Sequence, residues 1–108
     1  MKDTRAVRTR RKAGRTAATK LILRLYVAGT SPKSLRAIQN AKDMCDEHLD
    51  GHYDLEIIDI FQQPALAKDD QILAVPTLIK RLPAPLRRFI GDLSSKKVIL
   101  FGLDLKQR

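Results

Sequence analysis

The 108-residue chain has one cysteine, Cys45, no tryptophan, two tyrosines and three phenylalanines. A lone thiol excludes an intramolecular disulfide, and it excludes a dithiol couple, which needs an attacking thiolate and a resolving thiol. Low cysteine usage also fits a reducing compartment. No apolar run approaches the ~20 residues of a membrane helix, and no apolar segment follows the basic N-terminus as a secretory signal would require. A cytoplasmic protein with no membrane partner is therefore expected. There is no Walker phosphate loop, nucleophile elbow or paired-carboxylate site. Hence no catalytic residue is assigned, no cofactor is implied, and the chain is not expected to be an enzyme.

The net charge of +9 is unevenly spread. Residues 1–20 carry Lys2, Arg5, Arg8, Arg10, Arg11, Lys12, Arg15 and Lys20 against Asp3 alone, a net +7, which leaves +2 on the remainder. Such a segment repels itself and buries little, so residues 1–19 read as a disordered basic arm and residues 20–108 as one globular domain. The arm's charge density suits non-specific, salt-sensitive contact with nucleic-acid phosphates, without the aromatics that base stacking would need.

Within the domain, Leu21-Ile22-Leu23-Arg24-Leu25-Tyr26-Val27 reads as a central buried strand. Gly29 lets the chain turn, Ser31 suits an N-cap and Pro32 the first helical position. The helix is expected to run to about Leu49, with Leu35, Ile38, Ala41, Cys45 and Leu49 on its apolar face and Gly51 as terminator. Leu55-Glu56-Ile57-Ile58-Asp59-Ile60 is a second strand, and strand–helix–strand at this length implies a right-handed parallel crossover. Pro64 opens a short helix from Ala65 to about Leu73. Leu78-Ile79-Lys80 and Arg87-Arg88-Phe89-Ile90-Gly91 follow as strands around the rigid bend Leu82-Pro83-Ala84-Pro85.

This order is α/β and thioredoxin-like. Where such a domain carries its redox cysteines, at the junction of first strand and first helix, this chain has Thr30-Ser31-Pro32-Lys33. The scaffold is then suited to binding rather than to thiol exchange. The same order demands a last helix from about Ser94 to Lys106. Yet Val98-Ile99-Leu100-Phe101-Gly102-Leu103 is β-branched and aromatic, with a glycine that helices disfavour. A local preference for strand set against a global need for helix narrows the gap between competing folds.

Taken together, several motifs resemble the KaiB family of circadian clock and clock-like proteins. They are Leu25-Tyr26-Val27-Ala28-Gly29 with Pro32, Ile58-Asp59 with Pro64-x-Leu66-Ala67, and Asp70-x-Ile72-Leu73-Ala74-x-Pro76-Thr77-Leu78. To these add Leu82-Pro83-x-Pro85-x-Arg87-Arg88-x-Ile90-Gly91-Asp92-Leu93-Ser94 and the run from Val98 to Leu105 with Gly102, Leu103 and Asp104. The resemblance implies a KaiB-like domain whose C-terminal half, residues 62–105, switches between two folds. One is an oligomeric ground state, a dimer or tetramer. The other is a thioredoxin-like monomer that binds the ATPase ring of a KaiC-type partner. It also implies that Gly102 and Asp104 help set the balance between the two, and that Arg36, Leu66, Gln71, Arg87 and Arg88 contribute to partner binding. Clock members often have a small residue where Asp54 stands and a basic one where Glu56 stands. The two acids oppose docking of a KaiA-type third component on that strand. Gln71 likewise replaces a basic residue of the ring-binding segment.

Other readings stay beside these. Arg36, Arg87 and Arg88 suit carboxylates on a partner, or else internal pairs with Asp92 and Asp104. Cys45, His48 and His52 have a metal-like spacing. Three donors interrupted by Gly51, with the thiol on the apolar face, point instead to a buried cysteine and two surface histidines, so no metal site is assigned. Pro76 stands where thioredoxin-like folds place a cis proline, and a trans proline limiting a helix fits equally well. The function expected is a non-enzymatic regulator, circadian or stress-linked, that binds a KaiC-type ring. The alternatives are a nucleic-acid accessory acting through residues 1–20, or a redox-inactive thioredoxin-like adaptor for another partner.

Overall fold

In the computed structural model, residues 20–49 and 51–103 are described. The basic arm, Asp104 and the end of the expected last helix lie outside them. Four strands and three helices alternate as β1 (Leu21–Val27), α1 (Pro32–His48), β2 (Tyr53–Asp59), α2 (Pro64–Asp69), β3 (Thr77–Leu82), β4 (Arg87–Ile90) and α3 (Lys96–Gly102). The sheet order is β2-β1-β3-β4. β1 runs parallel to β2, with Leu21 opposite Tyr53 and Val27 opposite Asp59. β3 is antiparallel to both β1 and β4, with Leu25 opposite Leu78 and Thr77 opposite Ile90. This is the thioredoxin-like order expected, and β2 and β4 are its two open edges.

The pleat of β1 divides the core. Leu21, Leu23, Leu25 and Val27 face α1 and α3 and pack with Ala37, Ala41, Met44, Cys45, Leu49, Leu78, Leu93, Ile99, Leu100 and Leu103. On the other face Tyr26, Ile58 and Ile79 pack with Leu66 and Ala67 of α2 and with Ile72 and Val75. Burying residues on both faces is why β1 is nearly continuous in apolar side chains.

Three expectations are corrected. Leu35 is 52% exposed, whereas Ser34 and Ala37 are fully buried, so the buried face of α1 starts one residue earlier than the apolar pattern suggests. α2 ends at Asp69 rather than near Leu73, because Gln71 adopts φ +56° and turns the chain out of the helix. The His48 side chain is only 7% exposed, so it is not a surface histidine. The strand-like run at 98–103 is mostly helical, as the thioredoxin-like order requires: Ile99, Leu100 and Leu103 fall on one helical face and enter the main core, and their burial overrides local propensity. Val98 and Phe101 of the same segment remain exposed.

The Val75–Pro76, Leu82–Pro83 and Ala84–Pro85 bonds are cis. Among the described residues no helix is long and apolar enough to cross a membrane.

Candidate partner-binding surface

The start of α1 shows what replaces a dithiol. Ser31 is the N-cap and its Oγ accepts from the Ser34 amide at 3.2 Å, so one free amide of the first turn is satisfied. The Ser31 and Ser34 hydroxyls lie 2.9 Å apart, and Ser34 Oγ also accepts from the Ala28 amide at 2.9 Å. The pair facing each other at the helix start is thus Ser31 and Ser34, one position later than the Thr30–Lys33 frame. Asp59 Oδ1 braces the preceding turn by accepting from the amides of Gly29 at 3.2 Å and Phe61 at 2.9 Å. Nothing in this constellation is oxidisable.

Cys45, the one thiol, is fully buried in the core. Burial first, and the charge of Asp46 second, push its pKa up to about 12, so the nucleophilic thiolate is strongly disfavoured. Among the described residues no three metal-ligating side chains come together, and Cys45, His48 and His52 do not form a cluster.

The exposed chemistry gathers along the β4 edge. Two clefts flank it, and Arg88 and Ile90 line both. One, of about 310 Å³, continues past Asp92 to Val98 of α3. The other, of about 240 Å³, reaches Gln71 and Leu73 on the far side. Ile90 is 69% and Leu73 96% exposed, so a band of apolar surface is interrupted by one guanidinium. An open strand edge adds unpaired backbone groups beside it.

The fold therefore brings Gln71 and Arg88 into one cleft. Arg36 arrives indirectly: its Nε donates to Asp92 Oδ2 at 3.1 Å, so it holds the wall of the larger cleft rather than projecting free. Asp92 is also braced by Asn40, which donates to its carbonyl at 2.8 Å, and it accepts from the Ser94 amide at 3.1 Å. The bonds from Ser94, then Arg36, hold its carboxyl below the usual carboxylate range. Arg87 is exposed but lines neither cleft. Leu66 points into the second core beneath Tyr26, where it serves packing first.

Sequence reasoning missed Leu73 and Val98 as surface residues, because an isolated apolar residue in a short element reads as core. The internal pair with Asp92 weighed for the arginines is found for Arg36. Gly102 closes α3 against Phe89, and an added Cβ would stand 2.5 Å from that ring.

A family model described as the KaiB domain matches residues 24–105. The chain is 52% identical over 84 residues to the circadian clock oscillator protein KaiB of Prochlorococcus marinus subsp. pastoris, covering 78% of each chain. It is 51% identical over 84 residues to the protein of that name from Synechococcus elongatus, covering 78% of this chain and 82% of that one. Among solved structures, the N-terminal domain of Synechococcus elongatus SasA is similar at TM-score 0.66 and 22% identity, covering 83% of this chain and 89% of that one. Chloroplastic thioredoxin z is similar at TM-score 0.65 and 20% identity, covering 85% and 80%. At such identities the last two speak for the fold alone.

Proposed function

Because this chain belongs to the KaiB family, we propose that it is a regulatory protein that acts by docking on a KaiC-type ATPase ring rather than by catalysis. The relatives are named as circadian clock oscillator proteins. The observation that carries the reading is the β4 edge: Arg88 and Ile90 shared by two clefts, with Gln71 and Leu73 on one side and Val98 on the other. An interface of this kind combines an arginine, suited to a carboxylate, with apolar anchors. The Ser31–Ser34 hydroxyl pair and the inert Cys45 support a non-redox role for the scaffold.

In this reading Gln71 and Arg88 make direct contacts, Arg36 shapes the cleft through Asp92, and Arg87 adds charge at the rim. Residues 62–105 exchange between this thioredoxin-like form and an oligomeric form, and the ring selects the former. A ligand that overturns a 99:1 preference must favour the minor state by ~5.5 kcal/mol. The test is binding to a purified KaiC-type ring with and without ATP. Wild type is expected to bind, and Arg88→Ala to weaken binding at least tenfold while keeping the fold. Equal binding by the variant would move the docking surface elsewhere.

A further inference from the structure

On the other face of the sheet, three side chains, Arg24 and Tyr26 of β1 and Arg81 of β3, meet at the carboxylate of Asp70. Asp70 Oδ2 accepts from Tyr26 Oη at 2.5 Å and from Arg24 at 3.0 Å, and Asp70 Oδ1 accepts from Arg81 at 2.8 Å. The Asp70 side chain is 14% exposed and that of Arg24 22%. Tyr26 Oη also lies 3.0 Å from the Leu66 carbonyl. A hydroxyl has one proton, and the shorter, charged acceptor takes it. The Leu66 carbonyl is already satisfied by the Asp70 amide at 3.0 Å. Arg24 faces Glu56 at 3.3 Å on its other side.

We propose that Asp70 is a positioning residue, a latch that clamps the α2–β3 connection onto the central strand β1 and fixes the pose of the segment from Leu66 to Leu73. The need for such a clamp follows from α2 itself. It has six residues, no side-chain hydrogen bond at its N-cap Gln63 and no fully buried residue. A helix that short does not hold itself in water. Directly after the latch, Gln71 occupies a left-handed conformation that residues with a Cβ rarely adopt, so its surroundings must impose it. That turn sends Ile72 into the second core and leaves Leu73 outside in the Arg88 cleft.

Arg24 and Tyr26 lie before residue 62, whereas Asp70 and Arg81 lie after it. The latch therefore bridges the two halves of the chain, and any rearrangement of the second half must first break it. That consequence for binding rests on the function proposed above; the latch itself does not.

The experiment compares full-length wild type with Asp70→Asn, Tyr26→Phe and Arg81→Met by amide hydrogen exchange, and then by binding to a KaiC-type ring. Exchange at Asp70, Gln71 and Ile72 should quicken at least tenfold in Asp70→Asn and Tyr26→Phe, while β1 amides stay as in wild type. Ring affinity should fall at least fivefold. Arg81→Met removes one bond at a side chain already 37% exposed; it should show the same local pattern, more weakly, and it decides the matter where Asp70→Asn does not fold. Unchanged exchange at these three amides, or an equal rise in β1, overturns the latch. Local quickening with no ring binding by wild type supports the latch and overturns the functional reading.

Discussion

The ring of Phe89 on β4 fills the space that a side chain on Gly102 would need. A Cβ on Gly102 would stand 2.5 Å from both Cε1 and Cζ of that ring. Helix propensity alone favours Gly102→Ala by about 1 kcal/mol, and on that basis the replacement should enrich the thioredoxin-like form. Packing opposes it, because the half-buried ring must swing away first. The stabilisation from Gly102→Ala is expected to be less than half as large in wild type as in a Phe89→Ala background, a coupling of about 0.5–1 kcal/mol. Denaturant unfolding of the four chains measures it. Additive effects would mean that the ring moves at no cost.

Cys45 should be silent in the native protein. At pH 8, an aromatic disulfide reagent is expected to find no reactive thiol in the folded chain and one after denaturation, given full burial and a pKa pushed to about 12. Insulin reduction should stay at background. Reduction above it that disappears in Cys45→Ser would contradict the hydroxyl-pair reading.

Asp70 predicts the acid limb of the stability curve. Burial pushes its pKa up, but the bonds from Tyr26, Arg81 and Arg24 outweigh that and hold it below the ordinary value. A carboxylate depressed on folding contributes stability that is fully present above its unfolded pKa of about 3.9 and is lost as pH falls through the folded one. Asp70→Asn should cost on the order of 1.5–3 kcal/mol near pH 7 and flatten the fall below pH 4. A variant that keeps the wild-type acid slope would assign it to other carboxylates.

The acids of β2 are expected to bar one class of partner. Asp54 and Glu56 stand on the open β2 edge, and Glu56 faces Arg24 at 3.3 Å. A KaiA-type protein is expected not to bind the ring-bound wild type, whereas Asp54→Ala combined with Glu56→Lys restores contact. Direct binding by wild type in a pull-down or titration would sink this expectation.

The basic arm should be dispensable for folding. A chain starting at Lys20 is expected to melt within a few degrees of full length. A large drop would show that residues 1–19 pack on the domain or bridge subunits.

Much of the fold was legible because its strongest signals are local. The apolar run of β1, Ser31 with Pro32, and the Gly51 stop locate the first half within two residues. Where local composition pointed the other way, a tertiary contact outweighed it. Ser34 is buried because it bridges Ala28 and Ser31, which no hydropathy pattern reveals. The 98–103 run is mostly helical because Ile99, Leu100 and Leu103 find the core at helical spacing, and single-residue propensities do not report that. Of the proposed binding surface, Gln71 and Arg88 were legible through family resemblance. Leu73 was not, since its exposure depends on a left-handed turn at a glutamine.

Two serines at the head of α1 carry a further meaning for the cell. A thiol pair at that position would hand the domain to whatever sets the ambient electron supply, so that its shape and contacts would drift with respiration, light or oxidative damage. Hydroxyls hold this turn through hydrogen bonds and exchange no electrons. On the function proposed above, a component built this way keeps its rate uncoupled, at this site, from the metabolic swings around it.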